Sequence, residues 1–169
     1  MPLKSLDDLL IHQLKELHAA ERHNSEALPA LAKSATDPDL KSFLEKHGKE
    51  SKEHLGRLVD QLEELGAKAP SARAESKGMK GLVEDCMEIA KAAKHESHVR
   101  DAAIIGAVQH VEHDEIAGYG CACAWAKIVG NAPMANDLEK TLEAERRADA
   151  ELTLIAEGIN KKAAAATPA

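Results

Sequence analysis

The chain has 169 residues, a formal net charge of −7 and only three aromatic side chains. This length suits one domain with a buried core, and the acidic balance without a basic block excludes a nucleic-acid-binding footprint. No apolar run reaches the roughly 20 residues that a membrane-spanning helix needs. The first ten residues, MPLKSLDDLL, are amphipathic and unlike a signal peptide, so we expect a cytoplasmic protein. The three cysteines predict neither a disulfide framework nor a zinc site.

Two long helices are predicted in the first part of the chain. Ala, Leu, Glu and Lys dominate the composition, which favours helix throughout. The first helix is predicted over residues 5–33, where Ser5 is the N-cap and Pro29 predicts a kink. The second is predicted to begin after the N-cap Asp37 and to end at Leu65, just before a glycine.

Two more long helices are predicted after a polar linker and a short helix. The linker covers residues 66–77, and the short helix is predicted over residues 79–94. The further long helices are predicted over residues 97–129 and 134–160, on either side of a Gly-Asn-Ala-Pro turn. Long helices thus occur as two pairs, one in each half of the chain.

The connections between these helices favour an all-α fold, the ferritin-like four-helix bundle. Each pair of long helices has a short connection, whereas a long crossover carrying the extra short helix joins the second long helix to the third. The bundle is expected to cover residues 1–160, followed by a disordered, low-complexity tail over residues 161–169. A plain helical bundle with another topology is the alternative that the connectivity leaves open.

Polar side chains interrupt the apolar line of every long helix near its middle. The interruptions are Glu21 on the first helix, Glu50 and His54 on the second, Glu112 and Glu115 on the third, and Glu145 and Asp149 on the fourth. When the helices pack antiparallel, these positions lie at a similar depth in one core. A lone buried carboxylate costs several kcal/mol, and a cluster of carboxylates also repels itself.

Metal ions would relieve this cost better than protonation of five or six acids. An established use of such a cluster in a bundle is a pair of metal ions bridged by carboxylates, with one or two imidazoles. Oxygen-rich ligation suits iron or manganese more than zinc. We therefore expect two metal ions in the core, with iron favoured over manganese.

The two halves of the chain also resemble each other around these positions. The segment Glu50-Ser-Lys-Glu-His54 is similar in spacing to Glu145-Arg-Arg-Ala-Asp149. The similarity predicts a pseudo-repeat, with two similar half-sites around a pseudo-twofold axis.

Four segments carry a resemblance to a known family. They are HAAERH, HGKESKEHL, RDAAIIGAVQHVEHDEIAGYG and LEAERRADAEL. They resemble the bacterial YciE/YciF-type stress proteins of the ferritin-like superfamily, and the resemblance extends over residues 5–158. It implies a ferritin-like bundle that is often dimeric, a carboxylate-bridged dimetal site and a role in the general stress response.

Carried over by position, the resemblance implies four core carboxylates and a fifth. The four are Glu21, Glu50, Glu112 and Glu145, and Glu115 is the fifth, as in the rubrerythrin-like branch. The superfamily pattern is Glu-x-x-His on two helices, and this chain departs from it. Glu53 stands at the histidine position after Glu50, with His54 one residue later, and Ala148 stands there after Glu145, followed by Asp149. His54 and Asp149 lie on the apolar lines, so we favour them over Glu53 as ligands.

Other polar residues near these positions allow two interpretations each. His47, one turn before Glu50, is either a partner that orients a carboxylate or a partly buried core histidine. His110 and His113 flank Glu112 but point away from it by about 100° or more. Tyr119 is more readily a core aromatic than an outer-sphere redox residue.

Two functions from different classes fit the sequence. The first is a dimetal oxidoreductase that acts on peroxide or dioxygen or that oxidises iron, in a homodimer. The second is a non-enzymatic stress or interaction protein that kept the bundle and lost the chemistry, which the incomplete Glu-x-x-His motifs favour. Metal content distinguishes the two.

Overall fold

A computed structural model describes residues 3–71, 76–92 and 97–165. Within these ranges the chain forms helices and no strands, which confirms the predicted all-α class. The helices are α1 (Leu6–Ser34), α2 (Pro38–Glu64), α3 (Lys77–Ala92), α4 (His98–Ile128) and α5 (Ala132–Ala165). None of these described helices is long and apolar enough to cross a membrane.

Local signals set most helix boundaries where the sequence predicts them. Ser5 forms a capping box with Asp8 at the start of α1, and the Asp37 side chain accepts hydrogen bonds from the first turn of α2. Both α2 and α4 are followed by a glycine with positive φ, Gly66 at 66° and Gly130 at 86°. This left-handed conformation is readily adopted by glycine and stops a helix cleanly.

Three helix boundaries differ from the predictions, since α5 also begins two residues early, at Ala132, while the kink predicted at Pro29 stays a prediction. Helix α3 begins two residues early, at Lys77, and the predicted helical residues 93–94 lie outside the described ranges. Helix α5 continues to Ala165, so residues 161–165 are helical where a disordered tail was predicted. The Lys-Lys-Ala-Ala-Ala run consists of strong helix formers, which explains the extension. Residues 166–169 of the predicted tail lie outside the described ranges. Helix α1 continues through Pro29.

The packing follows the predicted ferritin-like connectivity. Helix α1 packs on α2 through a tight connection, α4 packs on α5 in the same way, and α3 lies in the crossover against α1 and α4. At one contact between α1 and α4, a Cβ atom built on Gly118 would lie 2.8 Å from Leu17 Cδ2 and 3.0 Å from Gln13 Nε2. Glycine at this position therefore leaves room for the ends of these two side chains against α4.

Two apolar clusters fill the core at opposite ends of the bundle. The first contains Leu28, Leu31, Leu40, Phe43, Leu44, Ile104, Ile105, Val108 and Leu152, and the second contains Leu10, Leu14, Leu17, Leu58, Leu62, Tyr119, Leu138 and Leu142. Except for Asp101 in the first turn of α4, the buried acidic and histidine side chains of each long helix lie in sequence between these two sets. The bundle thus has a polar layer across its middle, with an apolar cluster on each side.

Candidate metal centre

Four helices contribute ionisable side chains to the polar layer. These side chains are Glu21 from α1, His47 and His54 from α2, Glu112 and Glu115 from α4, and Glu145 from α5. The four glutamates are fully buried, and the two histidines are at most 4% exposed. The spacing explains the arrangement, because helical residues seven apart, or three apart, lie on one face.

Within this layer the side chains form two groups that share one residue. The first group is His47, Glu112, Glu115 and Glu145, and the second is Glu21, His54 and Glu145. In each group, one potential ligand atom per residue lies within 4.8 Å of the others. Because Glu145 belongs to both groups, its carboxylate is placed to bridge two cations.

The oxygen atoms of Glu145 face different histidines. Its Oε1 lies 2.8 Å from His54 Nδ1, and its Oε2 lies 3.7 Å from His47 Nε2. Each histidine also approaches a second carboxylate: His54 Nδ1 is 3.2 Å from Glu21 Oε1, and His47 Nε2 is 3.0 Å from Glu112 Oε1. Each imidazole therefore lies between two carboxylates, one of which is always that of Glu145.

Two neutral side chains donate hydrogen bonds to this layer. Tyr119 Oη on α4 donates to Glu21 Oε1 at 2.6 Å. Asn24 Nδ2 on α1 donates to Glu115 Oε2 at 2.8 Å. Both bonds join α1 to α4, and both are buried.

The surroundings change the protonation of these groups in the metal-free protein. Burial raises the pKa of Glu112 above its ordinary value and raises that of Glu115 well above it, with neighbouring carboxylates adding to the Glu115 shift. Burial lowers the pKa of His47 and of His54, but hydrogen bonds and charges from the adjacent carboxylates outweigh it. The net result raises the pKa of His47 well above 6.5 and that of His54 to about 9. Protonated imidazoles thus offset part of the negative charge.

The Tyr119 hydroxyl stays protonated. Burial raises the pKa of Tyr119 well above 10, and the charges of Glu21 and Glu115 raise it further. The phenol is therefore a hydrogen-bond donor to Glu21 across the physiological pH range.

Unpaired oxygen atoms show how well the layer fits a metal centre. Among the described residues, four buried carboxylate oxygens have neither a hydrogen bond nor an imidazole nitrogen closer than 3.7 Å: Glu21 Oε2, Glu112 Oε2, Glu115 Oε1 and Glu145 Oε2. Glu112 Oε1 and Glu145 Oε1 have only the contacts with His47 and His54 described above. Buried polar atoms in this state are costly and rare. Two divalent cations would satisfy these oxygens and balance the four carboxylate charges, and this donor set suits iron or manganese. The residues present therefore fit a dimetal centre.

The structure brings five of the seven predicted ligands together and leaves two outside both groups. Those brought together are Glu21, His54, Glu112, Glu115 and Glu145. The Glu50 side chain is 39% exposed and lies 3.8 Å from Lys46 Nζ and 3.4 Å from His47 Nδ1. Asp149 is 23% exposed in its side chain and accepts a hydrogen bond from Gln109 Nε2 at 3.0 Å. Helical spacing alone would allow both to face the layer, since Glu50 lies about 60° from His47 and Asp149 about 40° from Glu145 around their axes. Their exposure shows that each lies at the edge of the buried face of its helix.

His47 lies inside the layer, although sequence reasoning kept it as an outer partner or a core histidine. The signal that could have identified it is the His-x6-His spacing of His47 and His54, which places both rings on one face. On α5 the corresponding buried position is Ala148, so α5 contributes no imidazole. The two predicted half-sites therefore differ in the types of donor they contain, because both imidazoles come from α2.

Comparison with known proteins identifies a relative that is similar over nearly the whole chain. Protein YciF of Escherichia coli (strain K12) is 35% identical over 164 residues, which cover 96% of this chain and 98% of YciF. The crystal structure of that E. coli stress protein superposes with a TM-score of 0.86 at 33% identity, covering 95% of this chain and 99% of the other.

Two further solved structures share the fold. YcfI of Rhodopseudomonas palustris, whose description proposes a structural role, gives a TM-score of 0.82 at 32% identity, covering 89% of this chain and 94% of YcfI. A protein of Xanthomonas campestris pv. campestris gives 0.73 at 21% identity, covering 91% and 92%, which shows the fold alone.

The family assignment rests on nearly the whole chain. The family described as a domain of unknown function, DUF892, matches residues 5–165, from the N-cap of α1 to the end of α5. The full-length relationship to YciF agrees with this match and with the expected YciE/YciF-type resemblance. The chain is similar over nearly its whole length to the E. coli stress protein YciF, and it belongs to the DUF892 family.

Proposed function

We propose that the polar layer is a carboxylate-bridged dimetal centre that binds iron in preference to manganese. The observation that carries the proposal is the set of four buried carboxylate oxygens with neither a hydrogen bond nor a close imidazole contact, on residues of two groups that share Glu145. A purely structural polar core would satisfy its buried oxygens internally. Bound cations would satisfy these oxygens and would also reduce the repulsion among the glutamates.

We propose further that the centre handles peroxide or iron during stress. Iron or manganese bound in such a site supplies electrons to an oxidant by changing its oxidation state. The chain itself would hold the metals through Glu21, His54 and Glu145 on one side and through His47, Glu112, Glu115 and Glu145 on the other. The description of the E. coli relative YciF as a stress protein supports a role of this centre during stress.

The surrounding residues would protect the centre and exchange protons with solvent. The apolar clusters on either side of the layer restrict the access of water along the bundle axis. His47 contacts Glu112 through Nε2 and approaches Glu50 Oε2 through Nδ1 at 3.4 Å. Because Glu50 is partly exposed, protons can pass between solvent and the Nδ1 atom of His47. We place this chemistry in a cytoplasmic homodimer, as the family resemblance implies.

The first experiment is to measure metal content per chain by inductively coupled plasma mass spectrometry. Protein would be produced in medium supplemented with iron and manganese and purified without chelator or affinity tag. About two equivalents in the wild type and less than about half an equivalent in Glu112→Gln/Glu145→Gln would support the proposal. Glu50→Gln is the matched control, because its carboxylate lies outside both groups. Assays of peroxide consumption and Fe²⁺ oxidation on the loaded protein would then identify the reaction.

A non-enzymatic role is the second candidate. It is favoured by the proposed structural role of YcfI and by Ala148 at the position where the superfamily has a histidine. It predicts less than about half an equivalent of metal in the wild type and no turnover of peroxide or Fe²⁺. Those two results together would replace the dimetal proposal with a search for a protein partner.

A further inference from the structure

Two of the four buried glutamates differ from the others in how their oxygens are used. Glu21 has Oε1 bound by the Tyr119 hydroxyl, while its Oε2 accepts no hydrogen bond. Glu115 has Oε2 bound by the Asn24 amide, while its Oε1 accepts none. In Glu112 and Glu145, by contrast, no neutral side chain holds either oxygen, and the close contacts are those of Oε1 with His47 and His54. A neutral donor thus fixes one oxygen of Glu21 and of Glu115 and leaves the second oxygen free.

Each of these two donors lies on the opposite helix from the glutamate that it contacts. Asn24 follows Glu21 by three residues on α1, but its amide holds Glu115 of α4. Tyr119 follows Glu115 by four residues on α4, but its hydroxyl holds Glu21 of α1. Each helix therefore presents a glutamate to the layer and a donor to the glutamate of the other helix.

Each donor acts on only one of the two groups of potential ligands. Glu115 belongs to the group of four with His47, and Glu21 belongs to the group of three with His54. We propose that Asn24 and Tyr119 are positioning residues that tune the two cation positions separately. Asn24 sets the four-donor position through Glu115, and Tyr119 sets the three-donor position through Glu21. This inference rests on the proposed dimetal function.

The donor count predicts the order in which the positions fill. The four-donor position carries three carboxylates and the three-donor position carries two, so the first cation binds more tightly than the second. Hydrogen-bonding partners of metal ligands typically affect affinity by about 10- to 100-fold. Removal of Asn24 should therefore weaken the tighter step, and removal of the Tyr119 hydroxyl should weaken the looser step.

The test is a calorimetric titration of the metal-free full-length protein with Mn²⁺. Asn24→Leu replaces the amide with an apolar side chain of similar size, and Tyr119→Phe removes only the hydroxyl. Asn24→Leu should raise the dissociation constant of the first step by about 10- to 100-fold, and Tyr119→Phe should do the same for the second step. Asn24→Ala is the alternative variant if Asn24→Leu does not fold by circular dichroism.

A control and a spectroscopic readout separate positioning from general stability. Gln109→Leu removes another amide-to-carboxylate bond between helices, the one from Gln109 Nε2 to Asp149 Oδ1, and it should leave both steps within about twofold. Co²⁺ absorption should change at the first equivalent in Asn24→Leu and at the second in Tyr119→Phe. A structural defect alone would not move the two signals separately.

The outcomes distinguish this inference from the proposed function. A wild-type protein that binds no Mn²⁺ or Co²⁺ would overturn both. A wild type that binds two ions, with both steps unchanged in folded variants, would overturn only the roles of Asn24 and Tyr119. The same holds if either variant weakens the two steps equally.

Discussion

The α1–α2 half and the α4–α5 half of the bundle repeat each other in architecture but not in the donors they supply. The α1–α2 half contributes one buried carboxylate and both imidazoles, from Glu21, His47 and His54. The α4–α5 half contributes three buried carboxylates and no imidazole. The layer thus joins a half that can carry positive charge to a half that carries negative charge.

This difference shows that a repeated backbone does not require a repeated site. Two antiparallel helix pairs need matching apolar lines in order to pack, and both halves have them. The donors need only meet at the centre, so either half can supply a given imidazole. Here Ala148 occupies the buried place on α5, and α2 supplies the second ring through His47.

Glu145→Gln should have the largest effect, because Glu145 is the one residue shared by both groups. We expect bound metal to fall from about two equivalents to less than about half an equivalent. Glu21→Gln is the matched variant in the opposite half, and it should leave about one equivalent, since Glu21 belongs to one group. Mass spectrometry of metal per chain measures both. Equal losses in the two variants would contradict the shared role of Glu145.

Replacing the imidazoles of α2 should have the next largest effect and should separate the two positions. His54→Gln is expected to weaken one cation position by about 100-fold, and His47→Gln the other, because each ring belongs to a different group. Competition with a chelator gives the two dissociation constants. Loss of both positions in either single variant would show that the halves are not divided in this way.

The imidazole-bearing half should also make the metal-free protein sensitive to pH. The pKa of His54 rises from 6.5 to about 9 because neighbouring carboxylates outweigh burial, so its protonated form stabilises the fold below pH 6.5. That stability, on the order of 3 kcal/mol, is lost as pH rises through about 9, which corresponds to a fall of about 6–12 °C in Tm. Thermal unfolding in chelator between pH 6.5 and 9.5 measures this.

The control for this pH dependence is His54→Gln, which should reduce the fall in Tm without abolishing it, because the pKa of His47 is also raised well above its ordinary value. Buried Glu115, whose pKa is also raised, is stabilising in its protonated form and therefore contributes in the same direction. A Tm that rises across this range in the wild type would contradict the assignment of protons to the imidazoles.

Glu50→Gln and Asp149→Asn should have the smallest effects. Both carboxylates are partly exposed and lie outside the two groups, so about two equivalents of metal should remain bound. Glu50→Gln should change affinity by no more than about 10-fold, since it alters only the partner of His47 Nδ1. Loss of a full equivalent in either variant would restore that residue as a ligand.

Helix boundaries were predictable from the sequence because their causes are local. Ser5, Asp37 and Ser97 cap helices within their own first turns, and Gly66 and Gly130 follow helix ends directly. The buried glutamates were predictable for a related reason, since they interrupt regular apolar spacing.

The choice between neighbouring candidates on α2 could not be predicted in the same way. His47 and Glu50 are one turn apart, and only the rotation of α2 against α4 and α5 decides which of them faces Glu112 and Glu145. The bonds from Asn24 and Tyr119 likewise join residues 91 and 98 positions apart in the chain. No local pattern encodes such pairs.

The contact at Gly118 lies beside the candidate centre. Gly118 precedes Tyr119 and faces Leu17, which lies one turn before Glu21, so the contact joins α1 and α4 next to their glutamates. A methyl group there, with Leu17 Cδ2 only 2.8 Å away, would push the helices apart or displace that side chain. Metal–ligand distances tolerate changes of only about 0.2 Å. The absence of a single carbon atom at position 118 thus spares the candidate centre such a displacement, because Gly118 and Leu17 each lie about one turn from a glutamate of the layer.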